Sequence, residues 1–432
     1  MLTVSAGDAS RFAKLKAMIS RIRSLTRLTI LAAIVLGIPL SAADKAEHWV
    51  ATWAASPCGK VTARASSFNN QTLRAIVHSS IGGSRVRIRL SNAFGTAPVE
   101  IGAASIGLQA NGADIKEGSL KPLTFGGRAT AVIPPGGLLL SDAVDLKIAA
   151  LSNAAISIFL PRETDVTTIH YSAAQNSFVA ASNATAALTL AQPTKILSWP
   201  FLAGLEVMAP APAATIVAFG DSITDGARST PDTNRRWPNI LAERLEARKK
   251  GPRFAVANAG IGGNRILHDG LGGNGGTSGV NALARFDRDV LAQSGAKYVI
   301  VLEGINDIGQ PGMTSVPASE AVSADDIIAG LRQLIERAHA KGLKIFGGTI
   351  TPFEGTTIPG YYSPEKEVKR LAVNAWIRSS NAFDSVIDFE KAIADPAHPA
   401  RMLPAYDSGD RLHPNDAGYK AMGEAINLAL FR

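Results

Sequence analysis

The hydrophobic pattern of this 432-residue chain changes its period once, near residue 210, and that change limits the possible folds more than any other feature. Before it, apolar residues alternate with polar ones. Arg85-Val86-Arg87-Ile88-Arg89-Leu90 is an uninterrupted example, entered through Gly82-Gly83 and left through Ser91-Asn92. Leu73-Arg74-Ala75-Ile76-Val77-His78 and Ala155-Ile156-Ser157-Ile158-Phe159-Leu160 read the same way, as strands with a buried face. No helical stripe interrupts this region, so residues 44–205 are expected to form an all-β sandwich or jelly-roll module. Ala209-Pro210-Ala211-Pro212-Ala213-Ala214 has the composition of a linker, assigned to 206–214. From residue 215, short apolar runs (215–219, 254–257, 298–302, 343–346 and 385–387) alternate with stretches of helical period, such as Trp237, Ile240, Leu241 and Leu245. Ser323-Ala324-Asp325-Asp326 reads as a helix start and Gly342 as a stop. Strand–helix alternation over 215–432 predicts a parallel sheet with helices on both faces, in which ligands collect at the carboxyl ends of the strands.

Composition narrows the function. With 46% hydrophobic and 19% charged residues, the chain is not a disordered one. Its single cysteine, Cys58, excludes a disulfide framework and a Cys-based zinc or iron–sulfur site, and reads as a bland buried or partly exposed thiol and not a catalytic one. The net charge of +8 suggests a polyanion partner, but six Lys/Arg and one acid lie in residues 1–43. The remaining 38 basic and 35 acidic residues leave +3, so no nucleic acid is expected. The first 43 residues read as a signal peptide: a basic stretch ends at Arg27, an apolar run covers 28–40, and Ser41-Ala42-Ala43 suits cleavage. The run falls short of the roughly 20 residues of a comfortable membrane span. A secreted or periplasmic protein with no membrane span after cleavage is therefore expected.

The predicted strand ends carry the chemistry. The first leads into Phe219-Gly220-Asp221-Ser222-Ile223-Thr224-Asp225-Gly226, where glycine lets the backbone expose a serine hydroxyl. This is not the G-x-S-x-G elbow, since no glycine lies two residues after Ser222. The second leads into Asn258-Ala259-Gly260-Ile261-Gly262-Gly263-Asn264 and the third into Glu303-Gly304-Ile305-Asn306-Asp307. Near the C-terminus comes Asp410-Arg411-Leu412-His413-Pro414-Asn415. A serine becomes a nucleophile through a base, and the base is held by an acceptor. An Asp three residues before a His can reach the far ring nitrogen and leave the near one for the serine. Negative charge developing on a tetrahedral intermediate needs fixed donors, which the N–H groups of Ser222 and Gly263 and the Asn306 amide could supply. Gly260 and Gly262 compete for the glycine's role; position relative to Asn258 favours Gly263.

Four such blocks in this order resemble the SGNH (GDSL) hydrolases, and the resemblance spans 215–432. It implies a flavodoxin-like three-layer sheet of about five parallel strands and ester hydrolysis with no metal or other cofactor. Ser222 resembles the family's nucleophile and first oxyanion donor, Gly263 its glycine donor, Asn306 its asparagine donor, and Asp410 and His413 its other triad members. The stretch 72–95 is similar to the β-module that precedes this domain in some exported bacterial members. A serine esterase is expected, acting on short-chain carboxylic esters such as O-acetyl groups on carbohydrates, with a small-molecule or carbohydrate ester as its partner. An acyltransferase would use the same acyl-enzyme. A non-catalytic glycan-binding protein would be signalled by a lost triad member, and none is lost.

Other polar residues receive plainer readings. Asp221 is expected to fasten the serine loop, and Asp225 and Asp307 to serve turns and caps. His48, His78, His170, His268 and His339 lack an acid at matching spacing and read as surface or packing residues. A second Asp-x-x-His, Asp395-Pro396-Ala397-His398, lies in a proline-rich segment that reads as having no element to anchor it, whereas the later pair precedes a helix.

Overall fold

Alternation in the first half of the chain produces two antiparallel sheets packed face to face. The computed structural model describes residues 46–59, 67–248, 250–270 and 276–432; the expected leader at 1–43 lies outside them, as does 271–275. One sheet orders Glu47–Ala54, Leu202–Pro210, Gly83–Ser91 and Leu138–Leu140, with Val144–Ile148 also paired to Gly83–Ser91. The other is built on Gln71–Ser79, Ser152–Leu160 and Ala103–Asn111 at its centre. Val86, Ile88, Leu90, Leu205 and Val207 from the first sheet meet Leu73, Val77, Ile156 and Ile158 from the second in one core. The predicted strands are therefore present, and the β-sandwich forms as expected. The outward arginines do something the alternation did not indicate. Arg89 Nη1 donates to Gln293 Oε1 at 2.8 Å, and Glu206, which accepts from Arg87 Nε at 2.6 Å, also accepts from Ser294 Oγ at 2.9 Å. The outer face of this sheet is thus a seam with the second half of the chain, where Ala51, Ala54 and Ala257 allow close approach.

The expected linker is not one. Residues 206–210 belong to the strand Leu202–Pro210, and the next strand starts at Ala214, so only residues 211–213 connect the two sheets. Composition misled because Pro210 occupies the last strand position, opposite Glu47, where a missing N–H is tolerated.

The second half forms the parallel sheet. Its strands are β1 (Ala214–Gly220), β2 (Phe254–Gly260), β3 (Ala296–Leu302), β4 (Lys344–Gly348) and β5 (Ser385–Ile387), in the order β2-β1-β3-β4-β5. All four pairings are parallel, which is the flavodoxin-like arrangement. Val217, Phe219, Val299 and Val301 face helices on one side, and Ile216, Ala218, Ile300 and Leu302 face helices on the other. Burial on both faces explains the unbroken apolar runs. Helix Ala324–Ala340 starts with the Ser323–Asp326 capping box, and Trp237, Ile240, Leu241 and Leu245 are the buried face of Trp237–Glu246. No helix among the described residues is long and apolar enough to cross a membrane.

The sheet's carboxyl edge is tied together by Arg285, a fully buried residue on the short helix Ala282–Phe286. Nη2 donates to Gly220 O at 2.8 Å and Glu303 Oε1 at 3.1 Å, Nη1 to Ala259 O at 2.7 Å and Asp289 Oδ2 at 3.3 Å, and Nε to Asn264 Oδ1 at 2.8 Å. All five donors of the guanidinium are engaged, and its plane lies 4.0 Å over the Phe219 ring. Replacing it strands Glu303 in the interior, whereas Asp289 keeps Arg288. Arg285→Met is expected to lower stability by about 3–5 kcal/mol, read as a shift in the urea midpoint at constant slope; an unchanged midpoint would show that the edge holds without it.

Candidate active site

The first strand-end cluster folds as a single helical turn. Asp221 caps it, its Oδ1 accepting from Ile223 N at 2.9 Å, and Ser222 is the first residue of the turn Ser222–Asp225. Burial pushes the Asp221 carboxyl up to about 7 against that hydrogen bond, with Asp307 adding to the rise. Asn258 binds the turn from β2, donating Nδ2 to Thr224 O at 2.8 Å. Asp221 therefore fastens the loop, as expected.

Ser222 Oγ lies 2.9 Å from His413 Nε2, and His413 Nδ1 lies 2.8 Å from Asp410 Oδ2. Asp410 Oδ1 also accepts from His413 N at 2.8 Å and Leu412 N at 3.0 Å. Burial works against its charge, but the His413 hydrogen bond and charge, with the two backbone N–H groups, hold the Asp410 carboxyl well below the usual carboxylate range. A carboxylate only accepts, so Nδ1 carries the proton and Nε2 offers its lone pair to the serine hydroxyl. The loop that delivers Asp410 and His413 is closed by Asp407, which accepts from Gly409 N and Arg411 N, each at 2.9 Å. Asn415 then caps the helix Asp416–Ala425.

The expected donors stand on the other side of Ser222. Gly260 packs its α-carbon against the Asp225 backbone, whereas Gly262 and Gly263 line the cleft. Gly263 takes φ +78°, a conformation glycine adopts without strain. The N–H groups of Ser222 and Gly263 donate to no protein acceptor among the described residues. Asn306 follows β3 on the turn Ile305–Gly309, and its Nδ2 donates to Asn264 O at 2.9 Å. That carbonyl fixes which end of the amide is the donor. Its Oδ1 accepts from Gln310 Nε2 at 3.0 Å and Tyr361 OH at 2.8 Å, and Gln310 Nε2 also reaches Gly263 O at 3.0 Å. Gln310 and Tyr361 thus lock Asn306, and no sequence motif announced either. Asp307 accepts from Ile266 N at 2.8 Å and Leu267 N at 3.1 Å, while burial pushes its carboxyl up to about 6.

The five expected site residues therefore come together. Ser222, Gly263, Asn306 and His413 face one cleft of about 540 Å³, with Asp410 behind His413. Met313, Ile358 and Leu412 give the cleft an apolar side, and Ser172, Thr277 and Ser278 a hydroxyl-bearing one. Such a site can move a proton from a serine to an imidazole and hold an oxyanion opposite it. Among the described residues, no three His, Cys, Asp or Glu side chains gather as a metal-binding group. Cys58 is buried, which pushes its thiol well above its ordinary range.

Two readings change. Asp395 and His398 are anchored after all, since Ala394–Asp395 pairs with His398–Met402 in a hairpin. Their side chains line a separate depression with Glu354, Arg401 and Arg411, away from Ser222. His170 is not an ordinary packing residue. Buried in the β-module, it lies with Nε2 3.0 Å from Asp225 Oδ1 and Nδ1 2.9 Å from Ser56 O. The separation of 55 positions between His170 and Asp225 hid the pair from any spacing rule.

Burial alone would lower the pKa of His170, but the charge and hydrogen bond of Asp225 and the Ser56 carbonyl outweigh it and hold it above its ordinary value of 6.5. Both ring nitrogens face acceptors, so the folded state binds the proton more tightly than the unfolded one. The resulting stabilisation is complete below about pH 6.5 and is lost as pH rises through the raised value. Unfolding midpoints recorded from about pH 6 to 10 should fall on the alkaline side, and fall less in His170→Gln; parallel curves would remove this pair from the pH dependence.

The GDSL-like Lipase/Acylhydrolase family profile matches residues 218–421. Among solved structures, the chain is similar to the aryl esterase of M. smegmatis, at 19% identity over 49% of this chain and 95% of that one, with a TM-score of 0.38. It is similar to the lipase/acylhydrolase of Enterococcus faecalis, at 20% identity over 49% and 93% of the two chains, with a TM-score of 0.37. It is also similar to Axe2, an acetylxylan esterase from Geobacillus stearothermophilus, at 23% identity over 49% and 91%, with a TM-score of 0.37. No curated protein matches the chain. The family match begins inside β1 and ends inside Asp416–Ala425, so it takes in all four polar clusters. Residues 218–421 are thus a GDSL-like lipase/acylhydrolase domain, the domain of a family of ester hydrolases.

Proposed function

We propose that the protein is a serine esterase in which Ser222, His413 and Asp410 form the catalytic triad. The observation that carries this reading is the unbroken hydrogen-bonded chain from Ser222 Oγ through the His413 ring to Asp410, opening on a cleft. Ser222 attacks the ester carbonyl while His413 Nε2 takes its proton. The Ser222 and Gly263 N–H groups and Asn306 Nδ2 receive the oxyanion. His413 then protonates the departing alcohol, and water, activated by the same imidazole, releases the acid and frees Ser222. Asp410, held as a carboxylate, fixes the tautomer and balances the imidazolium.

Short-chain acyl esters, with O-acetyl groups on carbohydrates among them, are the substrate class we favour. A cleft of about 540 Å³ with apolar and hydroxyl-bearing walls suits a small acyl group on a polar alcohol. We infer a secreted or periplasmic site of action from the basic stretch, apolar run and small residues of 1–43.

Hydrolysis of 4-nitrophenyl acetate tests this reading. Ser222→Ala should lower kcat by about 10⁴- to 10⁶-fold without altering the melting curve. Turnover like that of the wild type would remove Ser222 from the mechanism. Asn306→Ala should lower kcat by about 10²- to 10³-fold with a smaller change in KM; a raised KM at constant kcat would make Asn306 a ground-state contact instead. Of the two Asp-x-x-His pairs, His413→Ala should abolish activity while His398→Ala changes kcat/KM by less than about fivefold, or 1 kcal/mol. The reverse ranking would overturn the assignment of the base.

A further inference from the structure

The segment that follows His170 is held at three points against the GDSL-like domain. His170 pairs with Asp225, the last residue of the Ser222 turn. Three residues on, Ala173 O accepts from the buried Arg236, whose carbon chain packs beside Gly226 at the end of that same turn. Asp232 N then donates to Ala174 O at 3.0 Å, and Gln175 Nε2 donates to Asp232 Oδ1 at 2.6 Å. On the module side, the strand Thr168–His170 is flanked on both edges, by Cys58–Gly59 and by Trp199–Pro200.

Between the first two anchors lie Tyr171 and Ser172, and both line the cleft that holds Ser222. The Ser172 side chain is exposed. A β-carbon placed on Gly262 would lie 3.7 Å from Ser172 Oγ and 3.9 Å from Ser222 Cβ, so the two serines flank the same glycine. This wall borders the cleft that opens at Ser222.

We propose that residues 170–173 of the β-module are a working part of the active site: His170 is a positioning residue for the turn that carries Ser222, and Tyr171 and Ser172 are specificity-determining residues that contact the bound ester. The inference rests on the reading of Ser222 as nucleophile. Substrate choice is then divided between the two halves of the chain, one supplying the reacting groups and the other a wall against which the ester lies.

The test uses the full chain with 4-nitrophenyl acetate, butyrate and octanoate. Ser172→Phe should change the ratio of kcat/KM between acetate and the longer esters by about tenfold or more while the melting curve stays in place. His170→Gln should lower kcat, and the rate at which a phosphonate labels Ser222, by about tenfold, with KM nearly constant. Unchanged ester selectivity in Ser172→Phe overturns the specificity role, and a folded His170→Gln with kcat and labelling rate like the wild type overturns the positioning role. Where His170→Gln fails to fold, Ser172→Phe, an exposed change, still decides whether the segment touches substrate. Ser222→Ala separates the two ideas. If it is inactive while Ser172→Phe is unaltered in selectivity, the module's specificity role is refuted and the esterase reading stands; if it stays active, the esterase reading itself fails.

Discussion

A parallel sheet ends in a row of carbonyls pointing the same way, and the loops that carry chemistry leave from that row. In this protein the guanidinium of Arg285 joins those ends. It binds the last carbonyl of β1, the penultimate one of β2, Glu303 just beyond β3, and Asn264 in the loop that includes Gly263. Ser222, Gly263 and Asn306 each lie within a few residues of one of these contacts. A lysine would offer a point charge without the planar fork that reaches five acceptors at once. The relative positions of the three groups follow from the geometry of one buried cation.

Buried acids brace the same edge of the sheet. Asp221, Asp307 and Glu303 are all buried beneath the cleft, and burial raises the carboxyl of each. Asp221 and Asp307 are held by backbone N–H groups and Glu303 by Arg285 itself. Asp410 is the exception, drawn the other way by the His413 ring and two backbone N–H groups. Two environments for acids within one site separate groups that brace the turns from a group that must stay charged.

The sequence made the sheet legible because strands buried on both faces are written as unbroken apolar runs, and the structure lengthens most of them only slightly; 215–219 becomes Ala214–Gly220. Asp410 and His413 were legible because they meet across three residues. Arg285, Gln310, Tyr361 and His170 were not, since each acts on residues brought to it by tertiary packing; Tyr361 meets Asn306 across 55 positions. The misread linker has a different cause. Alanine and proline signal a flexible tether when considered alone, but antiparallel pairing with Glu47–Ala54 overrides that preference at 206–210. The strand Gly83–Ser91 was read correctly as alternating, yet its outer Arg89 is buried against Gln293 of the second half of the chain and not in water.

The three-residue joint at 211–213 bears on how such a chain could have arisen. Modules that are traded as cassettes meet at slack tethers, where either side can be cut away without exposing much apolar surface. Here the last strand of the sandwich runs almost directly into β1 of the parallel sheet, and the first strand, Glu47–Ala54, pairs with that last strand while its Ala51 and Ala54 cluster with Ala257 of β2. A recombination break at this boundary would uncover the packed seam on both sides. The two halves are therefore unsuited to be exchanged independently, and substitutions along their seam must be matched on both sides to be tolerated.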